Sequence, residues 1–181
     1  EIAYVGGGAD KESAHSPVIK EIWGTKIGFL GYTNLGSPYW KAGEYTPGIS
    51  WVDEGALLEF QKDIREAKNE ADVLIVSLHF GEEYQKEPSL IQQLLSKAAI
   101  DAGANIIVGH HPHVVQPVEQ YKNGWIAYSL GNFVFDQGFS LETMEGLLLE
   151  VTIQDKKITR VSPRSIYLNA EFQPSLQNLA K

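Results

Sequence analysis

Residues 73–79 read VLIVSLH and residues 105–113 read NIIVGHHPH, and these two stretches decide the fold. The first begins with a continuous apolar run, which is typical of a strand buried on both faces of a parallel sheet. Between them, residues 89–92 match the capping box S-x-x-Q at the start of a helix, and Gly103 is a typical C-terminal stop. Strand, helix and strand in this order predict a βαβ unit with parallel strands and a right-handed crossover.

The flanking segments predict further strands and one more helix. Residues 5–8 read as a short strand ending in a glycine turn, and Asp53 is a plausible N-cap for a helix running to about Asn69. After residue 114 the pattern becomes antiparallel, and the segment from Asn169 is a polar, peripheral tail. Three hairpins are expected: strands 18–23 and 26–32 around Gly24-Thr25, strands 114–121 and 125–130 around a type I′ turn at Asn123-Gly124, and strands 147–153 and 158–168 around Asp155-Lys156.

The composition excludes several classes of protein. The 181 residues, of which 43% are hydrophobic and 21% charged, fit one ordinary globular domain. The net charge of −8 argues against a nucleic-acid partner, because such binding needs clustered Lys and Arg. There is no cysteine, so disulfides and zinc–thiolate sites are excluded, and any metal must be held by His, Asp, Glu or Asn. No apolar run reaches the roughly 18 residues that a membrane span needs.

Four of the five histidines directly follow the two central strands: His79 follows the first, and His110, His111 and His113 follow the second. Because the carboxyl ends of parallel strands emerge at one edge of a sheet, we expect these four imidazoles to lie together. Imidazole is the commonest protein ligand for mid-row divalent metals. The sequence therefore predicts a metal site formed by these four residues, while the isolated His15 is assigned no role.

Two other kinds of polar side chain are expected at the same edge. Glu82 and Glu83 lie shortly beyond His79, where a carboxylate could bind metal, orient a histidine or act as a general acid or base. We predict that Glu82 and His110 are catalytic. Asn132, within the SLGNF sequence, is predicted to bind substrate; contact with a group behind the metal ligands and a simple turn-forming role are the alternatives.

Three ordered motifs then carry a family likeness. Residues 77–84 read SLHFGEEY, residues 109–113 read GHHPH and residues 128–133 read YSLGNF. Together with KIGFLGY at residues 26–32, they closely resemble the motifs of the bacterial CapA, or poly-γ-glutamate capsule-synthesis, family. The resemblance runs from the first residues to about Leu168.

The resemblance implies an α/β protein with the layered α/β/β/α fold of calcineurin-like metallophosphoesterases, which carry two divalent ions such as manganese, zinc or iron. It implies that His79 matches a mid-domain histidine ligand. His111 and His113, or His110 with one of them, match the terminal His-x-His ligands. Family members also carry an aspartate and an Asn-His segment upstream of this chain's first residue. The resemblance thus implies that residues 1–168 are the C-terminal portion of such a domain, whose N-terminal part is missing, and that residues 169–181 are its tail.

Three functions are compatible with these observations. The first is a component of capsule or poly-γ-glutamate synthesis, extracytoplasmic and membrane-anchored in its full-length form, as the resemblance implies. The second is a metal-dependent phosphoesterase or related hydrolase, and the third is a non-catalytic scaffold of the same fold. The expected partners are an anionic polymer or phosphorylated substrate and capsule-synthesis membrane components. Self-association, or pairing with the missing N-terminal segment, is expected to cover exposed sheet edge and apolar surface.

Overall fold

The computed structural model describes residues 2–176 and shows a mixed α/β fold, as predicted. Its helices are α1 Lys11–His15, α2 Leu57–Glu70 and α3 Leu90–Ala102. No helix among these residues is long and apolar enough to cross a membrane. Its strands are β1 Gly7–Gly8, β2 Val18–Ile22, β3 Thr25–Thr33, β4 Gly48–Ile49, β5 Val73–His79, β6 Ile106–His110, β7 Val118–Tyr121, β8 Gly124–Ala127, β9 Glu145–Gln154, β10 Lys157–Leu168 and β11 Pro174–Leu176.

The largest sheet has six strands in the order β2-β3-β5-β6-β8-β7. The predicted unit β5-α3-β6 is confirmed, and β3, β5, β6 and β8 all run parallel, with β2 and β7 antiparallel at the two edges. The predicted antiparallel pairing after residue 114 is confirmed between β7 and β8, but β8 also pairs parallel with β6, which was not predicted. The physical reason is that β8 is short and apolar, with three of its four residues buried, which suits an interior position of a parallel sheet.

The predicted hairpins form, but two of their turns lie one residue earlier than expected. Ile22 pairs with Thr25, so the first turn is Trp23-Gly24. Tyr121 pairs with Gly124, so the second turn is Lys122-Asn123 rather than Asn123-Gly124. Of its two residues only Lys122 has a positive φ, at +51°, so this turn is not the predicted type I′. Gly124 is the first residue of β8. Glycine suits this position because a β-carbon there would overlap the Ile100 side chain. The third turn lies at Asp155-Lys156, as predicted.

The main core lies between one face of this sheet and helices α2 and α3. Asp53 caps a 3₁₀ turn that leads directly into α2, since its carboxylate accepts a hydrogen bond from the Ala56 N–H at 2.9 Å. The cap thus lies where predicted, but it belongs to this turn, and α2 itself begins after Ala56 without a side-chain cap. Ser89 and Gln92 form the predicted capping box of α3, and Gly103 ends it with a φ of +120°. Fully buried side chains from both layers fill this core, among them Phe60, Ile64, Leu74, Leu78, Leu95 and Ile107.

A second, three-stranded sheet, β11-β10-β9, faces the opposite side of the large sheet. A cavity of about 390 Å³ lies between the two sheets, and its lining is largely apolar. This gives the α/β/β layers of the expected fold. No second outer layer of helices is found among residues 2–176, because α1 lies beside the β1–β4 pair instead. The segment 174–176 of the predicted tail pairs with β10 as a strand, and residues 177–181 lie outside the described residues.

Candidate functional site

Two loops meet at the carboxyl edge of the large sheet and form one rim. His79 and His110 are directly paired in the register of β5 and β6, so the chain leaves both strands side by side. The Phe80 N–H donates to the His110 carbonyl at 3.1 Å, and the Tyr84 N–H donates to the Pro112 carbonyl at 2.8 Å. The segment 80–84 is thus tied at both ends to the histidine loop, which fixes the side chains between these two hydrogen bonds.

Glu83, His111 and His113 form the metal-ready group of this rim. Each offers one ligand atom, and these atoms all lie within 4.8 Å of one another. Around one ion with bonds of about 2.1 Å, ligand atoms lie no more than about 4.2 Å apart, so a small side-chain movement suffices to bring all three onto one ion. One carboxylate and two imidazoles are the donors that zinc, manganese and iron take in proteins. These residues therefore fit a divalent ion.

The other two histidines lie near this group without joining it. The His79 ring centroid is 5.0 Å from that of His111, close enough for a second ligand position beside the first. His110 lines the cavity between the two sheets, because the alternation of β6 turns Val108 and His110 toward that face. A metal-binding role for His79 and for His110, and a catalytic role for His110, remain predictions.

Of the two adjacent carboxylates, the structure brings Glu83 to the histidines. Both glutamates are exposed, and only Glu83 belongs to the metal-ready group. The path of segment 80–84 decides which one, and that path depends on two backbone hydrogen bonds to the neighbouring loop and on Gly81, whose φ is +98°. The sequence shows neither these hydrogen bonds nor the backbone conformation of Gly81. A catalytic role for Glu82 stays a prediction.

The backbone of the rim is strained at three bulky residues. Tyr84, His111 and His113 have φ angles of +62°, +102° and +58°, in the left-handed region that non-glycine residues rarely adopt. Such a conformation costs about 1–3 kcal/mol per residue and persists only where the surroundings impose it. Strain of this kind concentrates at functional sites, which supports the assignment of this rim as the site.

Asn132 holds one of the histidines in a single orientation. Its amide is almost fully buried, with 5% of the residue exposed. The Asn132 Nδ2 donates to the Thr143 carbonyl at 2.9 Å, and because a carbonyl can only accept, the other end of the amide, Oδ1, faces His113. His113 Nδ1 lies 2.8 Å from that oxygen and must carry the proton. The lone pair of His113 Nε2 is therefore free for a metal ion.

We expect Asn132→Ala to weaken divalent metal binding roughly 10- to 100-fold, since an outer partner that fixes a ligand's tautomer has effects of that size. Isothermal titration with Zn²⁺ measures the affinity, and ¹⁵N chemical shifts of His113 report its tautomer. Asn69→Ala, on the exposed surface of α2, is the matched control. An unchanged tautomer in Asn132→Ala would contradict this role. The predicted contact of Asn132 with substrate stays untested, although both ends of its amide are engaged with protein groups.

Two buried glutamines support the rim from below, and the sequence analysis missed them. Gln92 and Gln116 are 0% and 2% exposed, and Gln92 Nε2 donates to Gln116 Oε1 at 2.8 Å. Gln116 Nε2 in turn donates to the carbonyls of Gln85 and Glu87 at 2.8 and 3.2 Å. This network anchors the segment that follows Glu83. One sequence signal was available for this network. Gln92, the last residue of the capping box, lies on the face of α3 that turns toward the core, where a polar side chain needs a hydrogen-bond partner.

The surroundings of His79, His110 and His111 favour the neutral form of these three imidazoles. Burial lowers the pKa of His79, and the neighbouring His111, His110 and His113 lower it further. Burial also lowers the pKa of His110, and it lowers that of His111, where the nearby Glu83 opposes the effect. Because imidazole binds metal in its neutral form, these pKa shifts favour the ligand state.

We expect the stability of the metal-free chain to fall as the pH drops through the ordinary histidine pKa of about 6.5. The folded-state pKa values of His79, His110 and His111 are lowered, so the unfolded chain binds protons that the folded chain does not. The stabilisation is present above that pH and is lost toward the folded-state pKa values. Urea unfolding in EDTA at pH 7.5, 6.5 and 5.5 measures it, with His110→Asn expected to flatten the profile. An equally steep profile in that variant would exclude the contribution of His110.

Comparison with known proteins agrees with the resemblance. The chain is 40% identical over 156 residues to "Capsule biosynthesis protein CapA" of Bacillus anthracis, covering 86% of this chain and 38% of that protein. It is 38% identical over 166 residues to "PGA biosynthesis protein CapA" of Bacillus subtilis (strain 168), covering 90% and 43%. The chain thus spans about two fifths of the length of these curated relatives.

A solved structure, the NAD nucleotidase NadN of Haemophilus influenzae, matches with a TM-score of 0.48 and 14% identity, over 96% of this chain and 37% of that one. The sequence also matches the family described as "Bacterial capsule synthesis protein PGA_cap" over residues 1–137. That match covers well over half of the sequence and confirms the expected family. The chain belongs to the bacterial capsule synthesis protein family PGA_cap.

Proposed function

We propose that this chain forms the histidine-rich part of a divalent metal centre in a capsule or poly-γ-glutamate biosynthesis protein, and that the centre is hydrolytic. The observation that carries the proposal is the metal-ready group, in which the ligand atoms of Glu83, His111 and His113 lie within 4.8 Å of one another. The printed names of the Bacillus relatives support the biological setting.

Each residue of the site has a distinct part in this proposal. His111 and His113 offer imidazole lone pairs, and the Glu83 carboxylate supplies negative charge and limits how strongly the site attracts a further anion. The His79 and His111 ring centroids lie 5.0 Å apart, so His79 could bind a second ion beside the one at the metal-ready group. We therefore propose one or two ions of manganese, zinc or iron. Such an ion supplies Lewis-acid chemistry, polarising a phosphoryl or acyl oxygen and making water a better nucleophile.

The proposed substrate is an anionic polymer or a phosphorylated compound. The chain carries a net charge of −8, so it does not attract such a substrate by its overall field. A divalent ion provides the local positive charge instead. The substrate's anionic group would therefore lie against the metal-ready group, and its remaining part would extend along the rim.

We further propose that the protein works at the cell envelope with membrane components of capsule synthesis. The relatives' names place them in capsule and PGA biosynthesis, which supports an envelope setting. We propose in addition that self-association, or pairing with a further polypeptide segment, covers apolar groups such as those that line the cavity between the two sheets.

Two neighbouring glutamates allow a matched test. With Mn²⁺ or Zn²⁺ added, the chain should hydrolyse bis(p-nitrophenyl) phosphate or a γ-glutamyl amide, and EDTA should abolish turnover. Glu83→Gln keeps the shape but removes the charge, and we expect it to lower turnover at least about tenfold, as removal of a metal-site carboxylate does. Glu82→Gln changes the adjacent position in the same way, and we propose a smaller loss for it because only Glu83 belongs to the metal-ready group.

The outcomes of this test distinguish the proposed hydrolytic centre from the alternative functions. Equal losses in Glu82→Gln and Glu83→Gln would support the predicted catalytic role of Glu82. Stoichiometric metal binding without turnover of either compound would favour the non-catalytic scaffold. Failure to bind any of the three metals would refute the metal centre in this chain.

A further inference from the structure

We propose that Tyr84, Phe135 and Phe139, hereafter the aromatic shelf, bind an uncharged ring of the substrate beside the metal-ready group. The inference rests on the proposed function, because the shelf is useful only if the reacting group lies at that centre. It goes further by naming the chemistry of the neighbouring part of the substrate: a ring with a flat apolar face, as in a sugar or a nucleobase.

The shelf adjoins His113, whose Nε2 lone pair is free for a metal ion. The Phe135 ring centroid lies 4.8 Å from that of His113, and the Tyr84 ring lies roughly parallel to His113 at 6.2 Å. Tyr84 and Phe139 meet edge to face at 5.1 Å. Phe135 and the Tyr84–Phe139 pair thus each adjoin His113, a candidate metal ligand, within reach of a compound held there.

The rings are exposed although they are held in place. Tyr84, Phe135 and Phe139 are 40%, 42% and 66% exposed. Tyr84 is fixed by its N–H bond to the Pro112 carbonyl at 2.8 Å and by the Gln137 amide, which donates to its phenol oxygen at 3.2 Å. An aromatic side chain that only fills space does not need such anchors, whereas a binding surface gains affinity from being ordered before the ligand arrives.

The loop that carries the shelf is itself unusually apolar for a surface segment. Besides the two shelf phenylalanines, the sequence FVFDQGFSL at residues 133–141 contributes three more large exposed apolar side chains, Phe133, Val134 and Leu141. Large exposed apolar side chains concentrated in one surface segment favour a role in binding. Because Phe135 lies beside His113, a group bound on this segment would adjoin a compound held at the metal-ready group.

The charges around the shelf determine what kind of group fits. Segments 82–87 and 133–142 carry five acidic residues and one lysine, and that lysine, Lys86, is paired with Glu142 at 3.0 Å. Of the two proposed kinds of substrate, these charges favour a phosphorylated compound that carries a ring, because a run of free carboxylates, such as a glutamate polymer, would be repelled here. An uncharged ring meets no such repulsion and stacks on aromatic faces.

Ligand-observed NMR on the full chain loaded with Zn²⁺ tests the proposal with three probes: methyl glucoside, adenosine and a γ-linked glutamate trimer. We expect saturation transfer to the ring protons of the glucoside or of the adenosine, and the responding probe identifies the source of the ring. Phe139→Ser should weaken that binding about tenfold, in line with the loss of one stacking partner. Tyr39→Ser removes an aromatic ring that is 97% exposed and lies outside the shelf, and should have no effect.

Metal stoichiometry is measured in the same samples, so the two proposals fail separately. If Zn²⁺ binds but neither ring compound does, or if Phe139→Ser leaves their binding unchanged, the shelf proposal is overturned while the metal centre stands. If the glutamate trimer alone binds and loses affinity in Phe139→Ser, the shelf serves the polymer and the uncharged-ring assignment is wrong. If Zn²⁺ does not bind, the metal centre fails, and ring binding that still depends on Phe139 would leave only a metal-independent site.

Discussion

Replacing His111 with alanine is expected to weaken the binding of Zn²⁺ or Mn²⁺ by more than about 100-fold, because loss of a direct ligand exceeds the effect of an outer partner. Three ligand atoms within 4.8 Å form the metal-ready group, and the variant leaves a carboxylate and one imidazole. His113→Ala should have a similar effect. Competition with a chromophoric chelator at pH 7.5 measures both affinities.

His110→Ala provides the comparison that decides between the histidine pairings. The family resemblance allows His111 with His113, or His110 with one of them. The structure turns His110 into the cavity between the sheets, so we expect His110→Ala to retain most of the affinity. If His110→Ala lost as much affinity as His111→Ala, the ion would have to lie deeper, between β5 and β6. Unchanged binding in both His111→Ala and His113→Ala would remove the basis of the metal centre.

The position of this site was predictable from the sequence because topology alone determines it. Parallel strands joined by a helix end at the same edge, and histidines directly follow both strands. The identity of the participating carboxylate was not predictable, because Glu83 reaches the group through hydrogen bonds from Phe80 and Tyr84 to the neighbouring loop. The contact between Asn132 and His113 joins residues 19 positions apart and has no local sequence signal.

In the fold, too, local sequence patterns were predictable, whereas contacts between distant segments were not. Apolar runs, capping boxes and hairpin pairs are local patterns, and they predicted the elements from β5 to β6 and the hairpin of β9 and β10. The parallel pairing of β8 with β6 is a tertiary contact, and the four residues of β8 carry no local pattern that predicts it. The short helix α1 was missed because its signal is only a capping box between Asp10 and Ser13 followed by a single turn.

Gly109 joins fold and site in one residue, and its replacement by alanine is expected to have the largest effect on stability. Glycine at a strand end allows another segment to approach the backbone closely. In the structure the close approach is to the chain itself: a β-carbon would overlap the Tyr128 carbonyl oxygen and lie 2.6 Å from its carbon and 2.8 Å from the Phe80 ring. The neighbouring backbone is fixed by the bond from the Leu130 N–H to the Gly109 carbonyl at 3.1 Å.

We therefore expect Gly109→Ala to lower the free energy of unfolding by about 3 kcal/mol or more, at the upper end of overpacking effects, because backbone atoms cannot rotate away as a side chain can. Urea unfolding measures this change. Gly55→Ala is the matched control, since its β-carbon meets only the Asp53 carboxylate at 3.2 Å and should change stability by less than about 1 kcal/mol. Gly109 directly precedes the histidine loop, so metal affinity should fall in parallel. A Gly109→Ala chain as stable as the Gly55→Ala chain would show that β6 does not pass this close to the Tyr128 backbone.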